Sequence, residues 1–471
     1  MKILLINPSV NLESYGRFKN LLDPMPCIGL AYIAAMLERS AHEVHVLDNF
    51  VFRLNPGAIL DRVEKINPEM IGFSCLTPSF GNTLRLMRKI KDRFPHIIIA
   101  LGNVHAEFNA RQIVEKGQAD FVIHGEGEYT FTELANALEN GKKYSGIQGL
   151  TFCDNGKVVQ TSPRPPIREL DSLPYPAWHL FPFERYGFFM GLGGEKNKPI
   201  LSILASRGCP FRCDFCSAVY SSWKHYRKRA PEKIVQEIIF LIDRFNVRML
   251  GFMDSEFPLE KKHAHKVLDC MIRERIGEKI TWLTEARVDG VDDEILLKMK
   301  KAGCTKILFG LESGNQDSLD LLNKRITIEQ SRRAVQSSRK AGLHTVGLFM
   351  IGLPGETPEN ILNTFRFACE LNLDYAKFSI LTPMPGSRMF ERFQREGKLR
   401  HENWDEYTTF NPRPENFVYC PEALSPEKLI RLQKKGLRMF YFRPRQIWNH
   451  LFRIRSLSIR DILYGLWDVL F

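Results

Sequence analysis

The chain of 471 residues lacks the long apolar run that a membrane-spanning helix needs. No uninterrupted stretch reaches the roughly 18–20 residues that cross a bilayer. The N-terminal Met1-Lys2-Ile3-Leu4-Leu5-Ile6-Asn7-Pro8 has a short apolar core, against the ~7–15 residues of a secretory signal. These absences predict a cytoplasmic chain, where disulfides do not persist and the ten cysteines need another explanation. No Gly-x-Gly-x-x-Gly follows the first strand pattern, which disfavours a dinucleotide fold. No repeat recurs at a period of about 20–50 residues, so a solenoid is not expected. With 44% apolar and 25% charged residues, global disorder is excluded.

Positive charge is in excess, with 66 Lys and Arg against 54 Asp and Glu, a formal +12. It is uneven: residues 425–471 hold ten basic residues and three acidic ones, and so carry +7 of the total. A basic tail on a nearly balanced body points to a local contact, and no nucleic-acid module accompanies it. Leu429, Leu432, Phe440, Trp448, Leu451, Phe452 and Trp467 recur among Arg431, Lys434, Lys435, Arg438, Arg453 and Arg455. That pattern suits a helix at a membrane interface, on the inner face of the membrane. It equally suits a helix packed on the body with a solvated basic face, or a dock for an acidic reductase. The run Lys224-His225-Tyr226-Arg227-Lys228-Arg229 is read as contact with an anionic substrate or as a solvated loop.

Residues 1–141 alternate short β-branched runs at 2–6, 43–47, 70–75, 97–101 and 120–124 with helical patterns. Unbroken apolar strands at this spacing predict a doubly wound, Rossmann-like or flavodoxin-like domain. Residues 148–161 read as a hairpin turning at Asp154-Asn155-Gly156, and residues 162–182 hold six prolines and read as a semi-rigid linker. Six further βα units, with strands at 200–205, 249–253, 280–284, 306–309, 345–350 and 376–381, fit a partial (β/α) barrel whose active site lies at the strand C-termini. The expected architecture is α/β throughout. A Rossmann-like domain occupies 1–145, hairpin and linker 146–195, the barrel 196–395, and a C-terminal helical region 396–471.

Cys209-Pro-Phe-Arg-Cys213-Asp-Phe-Cys216 directly follows the first strand of the second domain. A closed structural zinc site takes four ligands, usually as paired Cys-x-x-Cys units, and a ferredoxin cluster also takes four. No fourth Cys or His stands at suitable spacing, so three thiolates would leave one iron open for chemistry. The other seven cysteines, Cys27, Cys75, Cys153, Cys270, Cys304, Cys369 and Cys420, are isolated and read as small core hydrophobes.

Cys209, Cys213 and Cys216 resemble the signature of radical S-adenosylmethionine (SAM) enzymes, and the six βα units resemble their barrel. The resemblance implies a 4Fe–4S cluster on these three catalytic cysteines, with SAM at the open iron. It implies SAM contacts at successive strand ends: Phe215 beside the adenine, Asp254 and Glu256, Arg287, Glu312 and Ser313, Gly352 of Gly352-Leu353-Pro354-Gly355-Glu356, and Pro385. A Rossmann-like domain ahead of such a barrel resembles the cobalamin-binding subfamily. Pro26-Cys27-Ile28-Gly29-Leu30 is similar to its Pro-x-x-Gly-Leu opening. Gly102-Asn103-Val104-His105 stands where the subfamily shows Gly-Gly-x-His, with Asn103 replacing the second glycine. Gly125-Glu126-Gly127-Glu128 follows the fifth strand. Cobalamin contacts implied are Ser74, Thr77, Gly102, Asn103, His105, Gly125, Glu126 and Gly127. Asp-x-His-x-x-Gly is absent, as is usual in a subfamily that binds cobalamin without a histidine on cobalt. The resemblance spans residues 1–390.

It implies methylation of an unactivated carbon on a small lipid-like, isoprenoid or natural-product substrate, with electrons from a flavodoxin- or ferredoxin-type donor. The alternatives are an anaerobic oxidative cyclase or rearrangement enzyme of the Mg-protoporphyrin monomethyl ester cyclase type, and a non-catalytic cobalamin or iron–sulfur sensor.

Overall fold

The computed structural model describes residues 1–15, 25–186, 200–219, 225–408 and 413–448. Seven strands form the N-terminal sheet: β1 (Lys2–Asn7), β2 (Glu43–Asp48), β3 (Met70–Ser74), β4 (Ile98–Gly102), β5 (Phe121–Ile123), β6 (Leu150–Asp154) and β7 (Lys157–Gln160). Their spatial order is β2-β1-β3-β4-β5-β6-β7. The first five are parallel, Ile3 of β1 lying between Val44 and Met70. The order turns back at β1, so β1 and β3 flank a switch point at whose carboxyl edge such sheets bind ligands. Both faces are covered, which is why the strands read as unbroken apolar runs. Leu4, Ile6, Ile71 and Phe73 pack on one side, and Ile3, Leu5 and Met70 on the other. The hairpin expected at 148–161 is β6–β7. It pairs antiparallel to β5 and forms the edge of this sheet.

The second sheet has six parallel strands in sequential order: β8 (Ile200–Ile203), β11 (Met249–Phe252), β12 (Thr281–Ala286), β13 (Cys304–Glu312), β14 (His344–Ile351) and β15 (Tyr375–Ile380). A two-stranded ribbon, β9 (Ser206–Arg207) with β10 (Arg227–Lys228), frames the segment after β8. Each step goes the same way across the sheet, and right-handed crossovers then put all connecting helices on one face. Outward-facing Leu250, Trp282, Ile307, Phe349 and Phe378 bury against those helices. The other face carries one residue from each strand, Ile200, Met249, Leu283, Leu308, Val346 and Tyr375, joined in a buried layer. The helices start where capping chemistry predicts: Thr327 with Gln330 and Thr357 with Asn360 form reciprocal capping boxes.

The proline-rich linker is not a solvated spacer. Ala177, Trp178, Phe181 and Tyr186 lie in the continuous core that joins both domains, and the Tyr186 hydroxyl donates to Asp48 at 2.7 Å. The helix Pro426–Tyr441 packs against β15: Leu429, Leu432 and Phe440 are buried, and Tyr441 donates to the carbonyl of Ala376 at 2.9 Å. Of the tail readings, packing on the body describes this helix. Residues 449–471 lie outside the described residues. Among the described residues no helix is long and apolar enough to cross a membrane.

Candidate functional site

The cysteine loop leaves β9 at the carboxyl ends of the second sheet's strands. Its backbone is held from two sides. The Asp214 amide donates to the carbonyl of Leu322 at 3.0 Å, and Asn323 Nδ2 to the carbonyl of Arg212 at 2.8 Å. The Met389 amide donates to the carbonyl of Asp214 at 2.9 Å. Cys213 is 8% exposed, and Cys209 and Cys216 are half-buried. Burial pushes the Cys209 thiol up to about 11, and the neighbouring Glu256, Cys216 and Cys213 add to the shift. Burial also raises Cys213, against the pull of Lys324 and Arg287. Among the described residues no three His, Cys, Asp or Glu side chains gather as a single-ion site does. An iron–sulfur cluster distributes its thiolates over separate irons, so three thiols within mutual electrostatic reach fit it without converging on one point.

Lys324, which the sequence did not single out, organises the surroundings. Its Nζ donates to Glu312 Oε1 at 2.8 Å in a buried pair and lies 5.8 Å from the Phe215 ring centroid. Arg287 forms a bidentate pair with Asp289, both contacts at 2.9 Å, donates to the Lys324 carbonyl at 2.9 Å, and stacks 3.7 Å over Phe211. Glu256 feels both cations, yet burial still pushes it up to about 7. Cys209, Cys213, Cys216, Phe215, Glu256, Arg287 and Glu312 thus come together around one turn. A lone lysine after a short helix gives no sequence signal of this.

The other expected SAM contacts sit differently. Asp254 is buried, and its carboxylate accepts from the Ala205 amide and the Ser206 hydroxyl, so it braces the turn leading into the cysteine loop. Ser313 is fully buried, with its hydroxyl 3.3 Å from Thr364 Oγ1 and accepting from the Asn315 amide. Gly352, at φ 79°, donates its amide to Glu356 and packs on Leu429. Pro385 is buried, and the following Gly386 lies so close to Phe108 of the N-terminal domain that a Cβ there would overlap its ring.

In the N-terminal domain, Ser74, Gly102, Asn103 and Gly125 meet at the carboxyl ends of β3, β4 and β5. Asn103 Nδ2 donates to Ser74 Oγ at 3.0 Å, and its Oδ1 accepts from the Val104 amide at 2.7 Å. Asn103 has φ 79° and ψ 173°, a conformation that glycine adopts freely and other residues hold only under strain. That explains the glycine expected there. His105 and Thr77 are buried below this edge: Nδ1 lies 3.2 Å from Thr77 Oγ1, and the ring packs between Phe80 at 4.1 Å and Trp404 at 4.9 Å. Burial drives the His105 pKa down to about 3. The imidazole, expected at the cobalamin or as a brace of its loop, is a buried group that packs the C-terminal segment onto this domain.

Glu126 is likewise engaged within the protein. Its carboxylate takes Arg207 at 3.0 Å, Arg227 at 2.7 Å and the Ile167 amide at 2.7 Å, while Glu128 takes Arg207 at 2.7 Å. Gly127 packs on Ile33. The loop after β5 is thus a latch to the second domain, and Arg207 lies two residues before Cys209. In the described part of the basic run after the cysteines, Arg227 and Arg229 are engaged within the protein, Arg229 with buried Glu237 at 2.6 Å, whereas His225 and Lys228 are exposed. Arg207, Arg227 and Arg229 were legible as charges, but their partners are remote in sequence.

The radical SAM superfamily model matches residues 203–368, and the B12 binding domain model matches residues 19–135. An uncharacterized methyltransferase of Pyrococcus horikoshii is 32% identical over 469 residues, covering 99% of this chain and 98% of that protein. The anaerobic magnesium-protoporphyrin IX monomethyl ester cyclase of Rubrivivax gelatinosus is 28% identical over 449 residues, 94% of this chain and 77% of that one. In fold, the chain is similar to the radical SAM methyltransferase TsrM from Kitasatospora setae, solved with cobalamin and a 4Fe–4S cluster. The TM-score is 0.70 at 20% identity, with 92% of this chain and 84% of that one covered. Full-length similarity across both domains, with three cysteines gathered at the sheet's carboxyl edge, places the chain in the cobalamin-dependent radical SAM family, as an enzyme acting through SAM and iron–sulfur chemistry.

Proposed function

We propose that the enzyme methylates an unactivated carbon of a small-molecule substrate held between its two domains. The observation that carries this reading is the end-to-end similarity to a protein described as a methyltransferase. When bound, the cluster, SAM and cobalamin supply reductive cleavage of SAM and transfer of a methyl group. Cys209, Cys213 and Cys216 hold the iron, and Lys324 and Arg287 place positive charge beside these thiols. Glu256 and Glu312 offer carboxylates for the amino and ribose groups of SAM. Ser74, Gly102, Asn103 and Gly125 form the edge that receives cobalamin. The latch of Arg207 and Arg227 on Glu126 and Glu128 keeps the two edges facing each other. The second sheet is read as curved into a partial (β/α)6 barrel, because one-way crossovers leave its inner layer buried without helices on that side.

Electrons come from a flavodoxin- or ferredoxin-type donor. The tail beyond residue 441 is read as a peripheral membrane contact, in keeping with exposed Phe442, Ile447 and Trp448 beside Arg445. Oxidative cyclisation is the second reading, favoured by similarity to the cyclase over 94% of this chain. Anaerobically reconstituted enzyme incubated with SAM, a reductant and extracts of the source cell tests both. S-Adenosylhomocysteine together with a methylated product is expected. 5′-Deoxyadenosine without S-adenosylhomocysteine favours the cyclase, and neither product overturns both.

A further inference from the structure

One guanidinium lies between the loop that carries Gly125 and the loop that carries Cys209. Arg207 gives Nη1 to Glu126 Oε1 at 3.0 Å and Nη2 to Glu128 Oε1 at 2.7 Å, and its Cζ stands 4.9 Å from the centroid of the Tyr32 ring. All three charged side chains are almost fully buried. From Gly125 to Cys209 the path therefore runs through Glu126, an ion pair, Arg207 and Gly208. Both ends of this path are fixed. On the first domain, Glu126 also takes Arg227 Nη1 and the Ile167 amide, each at 2.7 Å, and Gly127 starts the helix Gly127–Glu139. On the second, Arg207 pairs with Arg227 in the β9–β10 ribbon. Asp254, just past β11, accepts from the Ala205 amide at 3.0 Å and from the Ser206 hydroxyl.

Other contacts join the domains without this bridge. Trp178 and Phe181 of the linker share a core with both, and Trp404 against His105 and Asp405 with Arg85 come from the segment after β15. Gly386 against Phe108 reaches the cysteine loop too, through Met389 and the Asp214 carbonyl, but as packing on one ring. Apolar packing has no preferred direction, whereas a guanidinium shared between two carboxylates fixes orientation. We propose that Arg207 is a positioning residue that sets the separation of cobalamin and the cluster, by locking the Gly125 loop to the root of the cysteine loop. Its role is geometric. A fork of two nitrogens holds Glu126 and Glu128 at once, whereas the single ammonium of a lysine supplies the charge without the bridge. Group transfer between cofactors needs that separation held, because a displacement of about 1 Å can cost on the order of 100-fold in rate. This inference rests on the reading that cobalamin lies along the edge of Ser74, Gly102, Asn103 and Gly125.

Pulsed electron paramagnetic resonance tests it without turnover. The reconstituted enzyme is loaded with cobalamin and reduced with dithionite, so that the cluster and Co(II) each carry unpaired spin, and no SAM is added. Their dipolar coupling reports the distribution of cluster–cobalt separations, and only molecules that hold both groups contribute. The parent is expected to give one narrow distribution. Arg207→Lys and Glu128→Ala should each widen it about twofold. Glu128→Gln keeps an acceptor for Nη2, and Arg85→Ala breaks an ion pair between the domains away from the cysteines, so both should match the parent. Should Arg207→Lys fail to fold, the contrast of alanine with glutamine at position 128 still decides. A parent-like width in Arg207→Lys or Glu128→Ala overturns the proposal, as does equal widening by Arg85→Ala. A parent that holds both groups over a broad range of separations overturns it as well. A parent that binds no cobalamin overturns the underlying reading and the proposal with it, so the two failures are told apart.

Discussion

At the scale of single residues, Cys213 is the most enclosed of the three thiols and the one nearest cationic help. Cys213→Ala should remove most bound iron and abolish 5′-deoxyadenosine release, measured by iron analysis and chromatography. Full cleavage by that variant would remove the cluster from this loop. Asn103 gives a sharper test, because its side chain steadies the strained backbone with two hydrogen bonds, one donated to Ser74 and one accepted from the Val104 amide. Asn103→Ala keeps the strain and loses the bonds, and should cost about 1–3 kcal/mol in urea unfolding. Asn103→Gly loses the bonds but relieves the strain, and should stay within about 1 kcal/mol of the parent. If alanine and glycine cost the same, backbone strain is not what Asn103 bears. The asparagine standing for glycine at position 103 was visible in the sequence. The burial of His105 was not, because Trp404 reaches it from three hundred residues away.

Among elements, the latch between the loop after β5 and the β9–β10 ribbon is a buried ionic contact that couples the domains. Arg207 and both glutamates are almost fully buried, so the interaction is costly to break from one side. Arg207→Ala leaves buried carboxylates without their cation and should cost about 3–5 kcal/mol. Glu126 adds a pH dependence. Burial alone raises its carboxyl, but Arg227 and Arg207 outweigh burial and hold it below the usual range. A carboxylate with a depressed folded pKa stabilises the fold above its unfolded value, about 4.3, and loses that contribution as pH falls through the folded value. Resistance to urea should therefore drop between about pH 5 and pH 3 in the parent, and less steeply in Glu126→Gln. Equal slopes would show that the latch does not titrate there. Strands and helices themselves were readable from apolar runs and caps. The prolines of the linker excluded a helix without saying that Trp178 would be buried.

On the scale of the whole molecule, the C-terminal segment returns to the first domain. Asp405 pairs with Arg85 at 2.8 Å, and Trp404 covers His105, so the chain closes over the edge that carries Asn103. The helix Pro426–Tyr441 then covers the edge strand β15, which would otherwise offer unpaired backbone groups. Part of the basic excess thus lies on a packed helix. The tail test belongs beyond it. Deleting residues 449–471 leaves the buried contact of Gln446 with the Leu373 carbonyl intact and should reduce sedimentation with anionic liposomes. Unchanged sedimentation would reject membrane contact.

The sequence by itself determined the two α/β domains, the order of their strands along the chain, and the loop that carries three cysteines. Those features are written in local periodicity and short spacing, which the backbone obeys wherever the segment lies. Only the tertiary structure decided which side chains face a ligand and which face each other. It turned Glu126 and His105 into fasteners and brought Lys324 to the cysteines. Pairings between residues far apart in the chain leave no mark on local pattern, and burial chooses among polar groups that look alike when read in order.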